Sequence, residues 1–214
     1  MIQKVLLLHP GEMGTSIGSA LISNKHEVVW ASQNRSNSTK NRASENQFVD
    51  KLTLMKAVDY CDHIIAICPP TAATDVALSV KKIGFEGIYI DANAISPSTA
   101  SKIGEIIGSR FVDGGIIGPP AWKEHSTRLY LSGKHSEEVA NWFSSSLVEA
   151  KSIENSASAL KMSYAAYTKG SSALILSIRA LAKKYDIEEE LLEEWKISQP
   201  GLKERSEITA SGTA

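Results

Sequence analysis

The segment His9-Pro10-Gly11-Glu12-Met13-Gly14-Thr15-Ser16-Ile17-Gly18 follows directly on the apolar run Val5-Leu6-Leu7-Leu8. Glycines in a strand-to-helix turn can cradle a phosphate. The first helical amides point at the anion, and no Cβ holds it away. Gly11 is placed to bring its backbone against a pyrophosphate, and the amides of Glu12 and Met13 follow. Gly14 opens the helix, and Gly18 lets that helix lie close to the sheet. The dinucleotide pattern is G-x-G-x-x-G, and His9 stands where its first glycine would be. Taken alone, the segment reads equally as a plain strand–turn–helix, with His9 stacking on a cofactor or simply filling the turn.

A second cluster sharpens the reading. His26-Glu27-Val28-Val29-Trp30-Ala31 reads as the next strand, and Ser32-Gln33-Asn34-Arg35-Ser36 follow it, with Lys40 and Arg42 close behind. An NAD site places an Asp or Glu about 20 residues after the glycines, on the adenosine ribose 2′-hydroxyl. Here that strand end carries no carboxylate to repel a 2′-phosphate. Arg35 offers a planar fork of donors, Ser36 a hydroxyl and Lys40 a further cation. A solvated basic loop has the same composition. Joined to the glycine turn at this spacing, the cluster predicts an NADP pocket rather than an NAD pocket.

These residues need elements to position them, and the pattern along the chain is β-α-β. His63-Ile64-Ile65-Ala66-Ile67 is a buried strand stopped by Pro69-Pro70, with Thr71 placed to cap the next helix. Ile88-Tyr89-Ile90 is another, and beyond it Ser96 and Pro97 form an N-cap and first helical position. Residues 113–120 are too rich in Gly and Pro for regular structure, a tight crossover whose closely approaching amides could also form an anion nest. Leu129-Tyr130-Leu131 reads as a strand and 136–147 as a helix. Strands alternating with helices imply a mostly parallel, doubly wound α/β sheet, with ligands at the C-terminal ends of its strands.

From Ala157 to Lys184 the pattern changes to one long helix, with Leu160, Tyr164, Tyr167, Ser171, Leu174, Ile178 and Leu181 forming a packing seam. Its length of about 40 Å exceeds what the first domain can cover. An acidic helix over 187–197 follows, and the polar tail 204–214 builds no core.

At 214 residues and 43% hydrophobic, the chain can bury a substantial core. A net charge of −1 gives no reason to expect nucleic acid or an anionic membrane. No apolar run is long enough to span a bilayer, and no signal peptide precedes the first strand. Two cysteines are too few for a disulfide framework, so Cys61 and Cys68 read as buried thiols in a reducing cytoplasm. Five histidines and two cysteines show no metal-ligand spacing. Trp122 and His125 read as an exposed loop.

Six segments together resemble a known family. They are Pro-Gly-Glu-Met-Gly at 10–14, Asn34-Arg35-Ser36, Cys68-Pro69-Pro70, Asp91-Ala92-Asn93-Ala94-Ile95-Ser96-Pro97, 113–120, and Leu160-Lys161-Met162-Ser163-Tyr164-Ala165-Ala166-Tyr167-Thr168-Lys169-Gly170. They resemble the β-hydroxyacid dehydrogenases, more narrowly the 6-phosphogluconate-dehydrogenase-like NADP-binding branch, over residues 2–205. The resemblance implies a Rossmann-type NADP-binding domain over 1–153. It implies next a long helix and an all-helical C-terminal domain over 154–214, incomplete relative to the family, that completes a homodimer. Relatives continue into further helices beyond the equivalent of Ala214.

The family's catalytic lysine maps onto Lys161, which shares a helical face with the small residues Ala165, Thr168 and Ser172. By its residue type alone, Lys161 reads as a snorkelling surface lysine. To accept a proton from an alcohol it would need its pKa lowered by burial or a nearby cation. Members often carry an Asn four residues on. Here that residue is Ala165, which leaves the missing hydrogen bond to Tyr164 or Thr168. The resemblance also assigns Cys68, Pro69, Pro70 and Asn34 to the cofactor, and Gly114 and Gly115 to a substrate carboxylate. Asn93 and Ser96 would line the nicotinamide end.

The expected function is therefore a cytoplasmic NADP-dependent oxidoreductase. It would move a hydride between the nicotinamide and a small, anionic hydroxy or keto substrate, with Lys161 as general acid and base. Two alternatives stand beside it: an NADP-binding sensor or scaffold whose hydride site has decayed, and an imine reductase.

Overall fold

The computed structural model describes residues 1–212. By internal contacts the chain forms two compact units, Met1–Met162 and Ser163–Ala214. The division falls inside the long helix, after Met162, whereas the sequence places the domain boundary at 153.

The N-terminal unit is built in the order β1 (Lys4–Leu8), α1 (Glu12–Ser23), β2 (Glu27–Trp30), α2 (Asn37–Glu45), β3 (Val49–Asp50), α3 (Leu54–Tyr60) and β4 (His63–Ala66). It continues through α4 (Ala73–Ile83), β5 (Ile88–Asp91), α5 (Pro97–Ile107), β6 (Phe111–Ile117), β7 (Thr127–Ser132), α6 (Ser136–Asn141) and β8 (Val148–Ser152). One eight-stranded sheet runs β3-β2-β1-β4-β5-β6-β7-β8. Every pairing is parallel except β6 with β7. This is the Rossmann-type doubly wound sheet, extended at one edge by β7 and β8.

The apolar run of β1 follows from cover on both faces. Val5 and Leu7 join a core with Ile17, Leu21 and Trp30, whereas Leu6 and Leu8 join a second core with Val80, Tyr89 and Ile103. A strand buried on both sides cannot alternate apolar with polar residues.

Several local expectations are corrected. The Gly-rich segment is not irregular, because β6 extends as a regular strand through Gly114 and Gly115 to Ile117. Tertiary packing demands these glycines: a Cβ at Gly114 would come within 2.8 Å of the Asp91 carbonyl oxygen. The helix expected over 136–147 ends at Asn141. Beyond it Ser146 Oγ donates to the Phe143 and Val148 carbonyls, and such local serine bonds compete with the helical ladder. The basic loop after β2 is helix α2, capped by Ser36.

Helix α7 (Ala157–Lys184) is the long helix, and the C-terminal unit adds α8 (Glu188–Ser198) and α9 (Leu202–Ala210). The polar tail, expected to build no core, is helical through Ala210 and buries only Ser206; Thr213 and Ala214 lie outside the described residues. Within this unit Arg179 donates Nε to Glu188 Oε1 at 2.8 Å and Nη1 to the Ser206 carbonyl at 3.0 Å, so a half-buried guanidinium ties the three helices. Among the described residues no helix is long and apolar enough to cross a membrane.

Candidate active site

Strand order reverses at β1 and β4, and in open α/β sheets a ligand crevice lies outside the C-terminal ends at such a switch point. Two clefts open there. One, about 250 Å³, is bounded by Leu8, Ala31, Val76 and Asp75. The other, about 310 Å³, is bounded by Gly11, Glu12, Met13, Gly14, Thr39, Cys68 and Pro69. His9 and Arg35 line both.

The glycine turn is built for close approach. His9 sits at φ 66°, the left-handed region that a glycine occupies without strain. The Gly11 amide donates to the His9 carbonyl at 2.7 Å, and a Cβ at Gly14 would lie 2.8 Å from that same oxygen. Helix α1 begins at Glu12, two residues before Gly14. The amides of Glu12, Met13 and Gly14 therefore precede the first helical bond, Thr15 amide to Gly11 carbonyl at 2.8 Å. Space beside Gly11 is open, with no atom within 4 Å of where a Cβ would be. A pyrophosphate fits this arrangement of open backbone and unpaired amides. Burial, reinforced by the Arg35 charge, holds the His9 imidazole down at about 4, so it is neutral near pH 7.

On the basic side, the expected residues separate. Arg35 lines both clefts. Asn34 makes the turn at φ 61°. Ser36 Oγ accepts the Thr39 amide at 3.3 Å as the N-cap of α2. Lys40 is exposed on α2 and lines neither cleft. In its place Thr39 faces the second cleft, and Arg42 Nε reaches the Pro10 carbonyl at 3.5 Å, against the glycine turn. Asp50 is close in space: its Oδ1 accepts the amides of Ser32 at 3.2 Å and Leu52 at 2.7 Å. It pairs with Trp30 only through the two-residue strand β3, which sequence did not reveal.

At the ends of β4 and β5, Cys68 and Pro69 face the cleft, whereas Pro70 opens a short 3-10 turn over Pro70–Ala72. Burial raises the Cys68 thiol to about 11. Asn93 is only 3% exposed and latches the two strand ends together. Its Oδ1 accepts the Cys68 amide at 2.5 Å, and its Nδ2 donates to Asp91 Oδ2 at 3.0 Å. Burial lifts Asp91 to about 6, with Asp113 adding to the rise and the two Asn93 hydrogen bonds opposing it. Ser96 caps α5, accepting the Thr99 amide at 3.2 Å.

Lys161 is brought against β6. A Cβ at Gly115 would lie 2.6 Å from the Ala157 carbonyl and 3.0 Å from Lys161 Cβ, so only glycine allows α7 to start this close to the strand. The first turn of α7 is anchored by three side chains that sequence reasoning missed. Ser132 Oγ accepts the Ala157 amide at 3.1 Å, Asp113 Oδ2 the Ser158 amide at 3.0 Å, and Ser156 Oγ the Ala159 amide at 3.1 Å. Ser156, directly ahead of the seam, carried a readable N-cap signal; the other two act across the sheet and carried none. Gly114 and Gly115 lie opposite Leu131 and Tyr130 in the β6–β7 ladder, where they leave room for the Asp91 carbonyl and for α7. Tyr164 and Thr168 belong to the C-terminal unit, where Tyr164 is exposed and Thr168 Oγ1 donates to the Tyr164 carbonyl at 3.1 Å.

Residues 4–95 match the family model described as NADP oxidoreductase, coenzyme F420-dependent. An uncharacterised 28.5 kDa protein from the 7S RNA 5′ region of Methanothermus fervidus is 32% identical over 188 residues, covering 86% of this chain and 72% of that protein. A solved conserved protein of unknown function, described as structurally similar to 3-hydroxyacid dehydrogenases, is 30% identical with a TM-score of 0.75. That alignment covers 96% of this chain and 80% of the other. The Mycobacterium tuberculosis 3-hydroxyisobutyrate dehydrogenase, solved with L-serine, shares the fold at 15% identity and a TM-score of 0.71, over 93% and 72% of the two chains. By these likenesses the chain belongs to the β-hydroxyacid dehydrogenase superfamily of nicotinamide-dependent dehydrogenases and reductases.

Proposed function

We propose that this protein is an NADP-dependent oxidoreductase acting on a small, anionic hydroxy or keto substrate, with Lys161 moving the proton. The observation that carries this reading is the packing of Lys161 onto Gly115. It brings the Lys161 Cβ against β6, while the two clefts open at the ends of β1 and β4.

In this reading the amides of Glu12, Met13 and Gly14 hold the pyrophosphate at the positive end of α1. Arg35 takes the 2′-phosphate, helped by the α2 segment that carries Ser36, Thr39 and Lys40. Cys68 and Pro69 wall the cleft beyond the pyrophosphate, and Asn93 keeps that wall in register. When bound, the nicotinamide gives or takes the hydride. Lys161 donates a proton from Nζ to the substrate oxygen in reduction, and its neutral amine accepts one in oxidation. Ser96, Gly114 and Gly115 are the proposed substrate neighbours in the N-terminal unit.

The test is consumption of NADPH and NADH with a panel of small keto acids, aldehydes and cyclic imines. Turnover with a keto acid, faster with NADPH, is the expected result. NADPH binding without turnover on any member would replace the enzyme by a cofactor sensor.

A further inference from the structure

His9 is the residue that the glycine turn does not explain. A non-glycine residue at φ 66° is strained, and a glycine would relieve the strain at no cost to the turn. The side chain kept there is not exposed filler: it lines both clefts at the point where Arg35 also meets both.

The ring has two distinct edges. Nδ1 is buried and has no hydrogen-bond partner. Nδ1 is unpaired in either tautomer, and a buried orphan N–H is rarer than an orphan acceptor, so the favoured tautomer carries the proton on Nε2, the edge that is not buried without a partner. We propose that His9 is a nucleotide-binding residue whose Nε2–H donates a hydrogen bond to a phosphate oxygen of the dinucleotide, beside Arg35. The inference rests on the reading that these clefts take a dinucleotide.

Chemistry and position agree. The imidazole is neutral at working pH, held so by burial and by the Arg35 guanidinium, and it can donate without adding a second cation to a site that already has one. The unpaired amides of α1 and the Arg35 fork flank it, so an oxygen between them would receive donors from backbone, guanidinium and imidazole together. Phosphate oxygens of the pyrophosphate and of the 2′-phosphate share this chemistry.

Titration of wild type, His9→Gly and His9→Asn with NADPH, NADH, 2′,5′-ADP and AMP tests the assignment, with thermal unfolding of each variant alongside. Glycine suits the backbone and asparagine tolerates it, so both variants should fold, and His9→Gly should melt no lower than wild type. NADPH should bind His9→Gly about tenfold more weakly, the scale of one hydrogen bond to a charged group. Loss confined to NADPH and 2′,5′-ADP assigns the contact to the 2′-phosphate. Loss shared by AMP and NADH assigns it to the 5′-phosphate side. Unchanged affinity together with a higher Tm would make His9 a turn residue only and overturn the proposal. Failure of wild type to bind any of these nucleotides would instead overturn the dinucleotide reading beneath it.

Discussion

Asp113 Oδ2 accepts the amide of Ser158 at 3.0 Å, so a carboxylate on strand β6 caps the helix that carries Lys161 three residues later. The same oxygen accepts the Ser156 hydroxyl at 2.9 Å. A negative charge at a helix N-terminus is favourable, and here it also ties the start of α7 to the sheet. Asp113 is thus a positioning residue for the proposed proton donor.

Asp113→Asn keeps the shape, removes the charge and leaves a donor where Oδ1 now has no partner. A loss of about 1–2 kcal/mol in stability is expected, from the helix-end charge and the weakened hydrogen bonds. Turnover should fall several-fold while NADPH affinity stays within about twofold, since the cofactor clefts lie at β1 and β4. Urea unfolding and a kcat-against-Kd comparison check the two parts.

Arg35 sets cofactor choice in this account. NADP(H) should bind at least tenfold more tightly than NAD(H), about 1.4 kcal/mol, which is modest for an arginine–phosphate contact. Arg35→Ala should close the gap by weakening NADP(H) alone. Fluorescence titration suits the measurement, because Trp30 ends the strand that leads to this residue. Equal affinities in wild type would remove Arg35 from the role.

What sequence revealed and what it hid have physical reasons. Strands β1, β4 and β5 were legible because residues buried on both sheet faces form unbroken apolar runs. The start of α5 was legible because Ser96 and Pro97 are local signals. Strand β6 was hidden, since its glycines answer to the Asp91 and Ala157 carbonyls, which are distant in sequence. Strand β8 exists through its pairing with β7. Helix α2 buries only Ala43 and so shows no apolar stripe. Among the residues that line the clefts, Gly11, Gly14 and Arg35 carried local signals. The Asp113–Ser132–Ser156 anchor and the Asn93 latch did not, because each joins elements by hydrogen bonds that no local pattern records.

Asp91 and His9 should oppose one another in the acid stability profile. Asp91 rises to about 6 on folding, so the folded state binds more protons than the unfolded one between pH 4 and 6. Its contribution is present below pH 4 and is lost as pH rises through 6. His9 falls to about 4, so its contribution is lost as pH drops through 4 and is full above 6.5. Asp91→Asn removes one of the two. Relative to wild type it should gain about 2–3 kcal/mol between pH 4 and 6, whatever fixed cost the substitution carries. Chemical denaturation at several pH values reads this difference, and a flat difference would place the Asp91 carboxyl in its ordinary range.

Helix α7 presents an apolar row that the single chain leaves bare. Tyr167 is 65%, Leu174 61% and Leu181 57% exposed. Such a row is expected to pair with its copy in a homodimer. Light scattering after size exclusion should give twice the chain mass, and Leu174→Glu with Leu181→Glu should give a monomer. A wild-type monomer at micromolar concentration would contradict the expectation.

The most direct test of the account is Lys161→Ala, measured as kcat on the best substrate found and as Kd for NADPH in the same preparation. General acid–base help from one side chain is worth about 10²–10⁴-fold, so kcat should fall by that order while Kd changes by no more than about threefold. Lys161→Arg should not restore turnover, because a guanidinium holds its proton near neutral pH. Retention of most activity by Lys161→Ala would contradict the central claim and move the proton to another group.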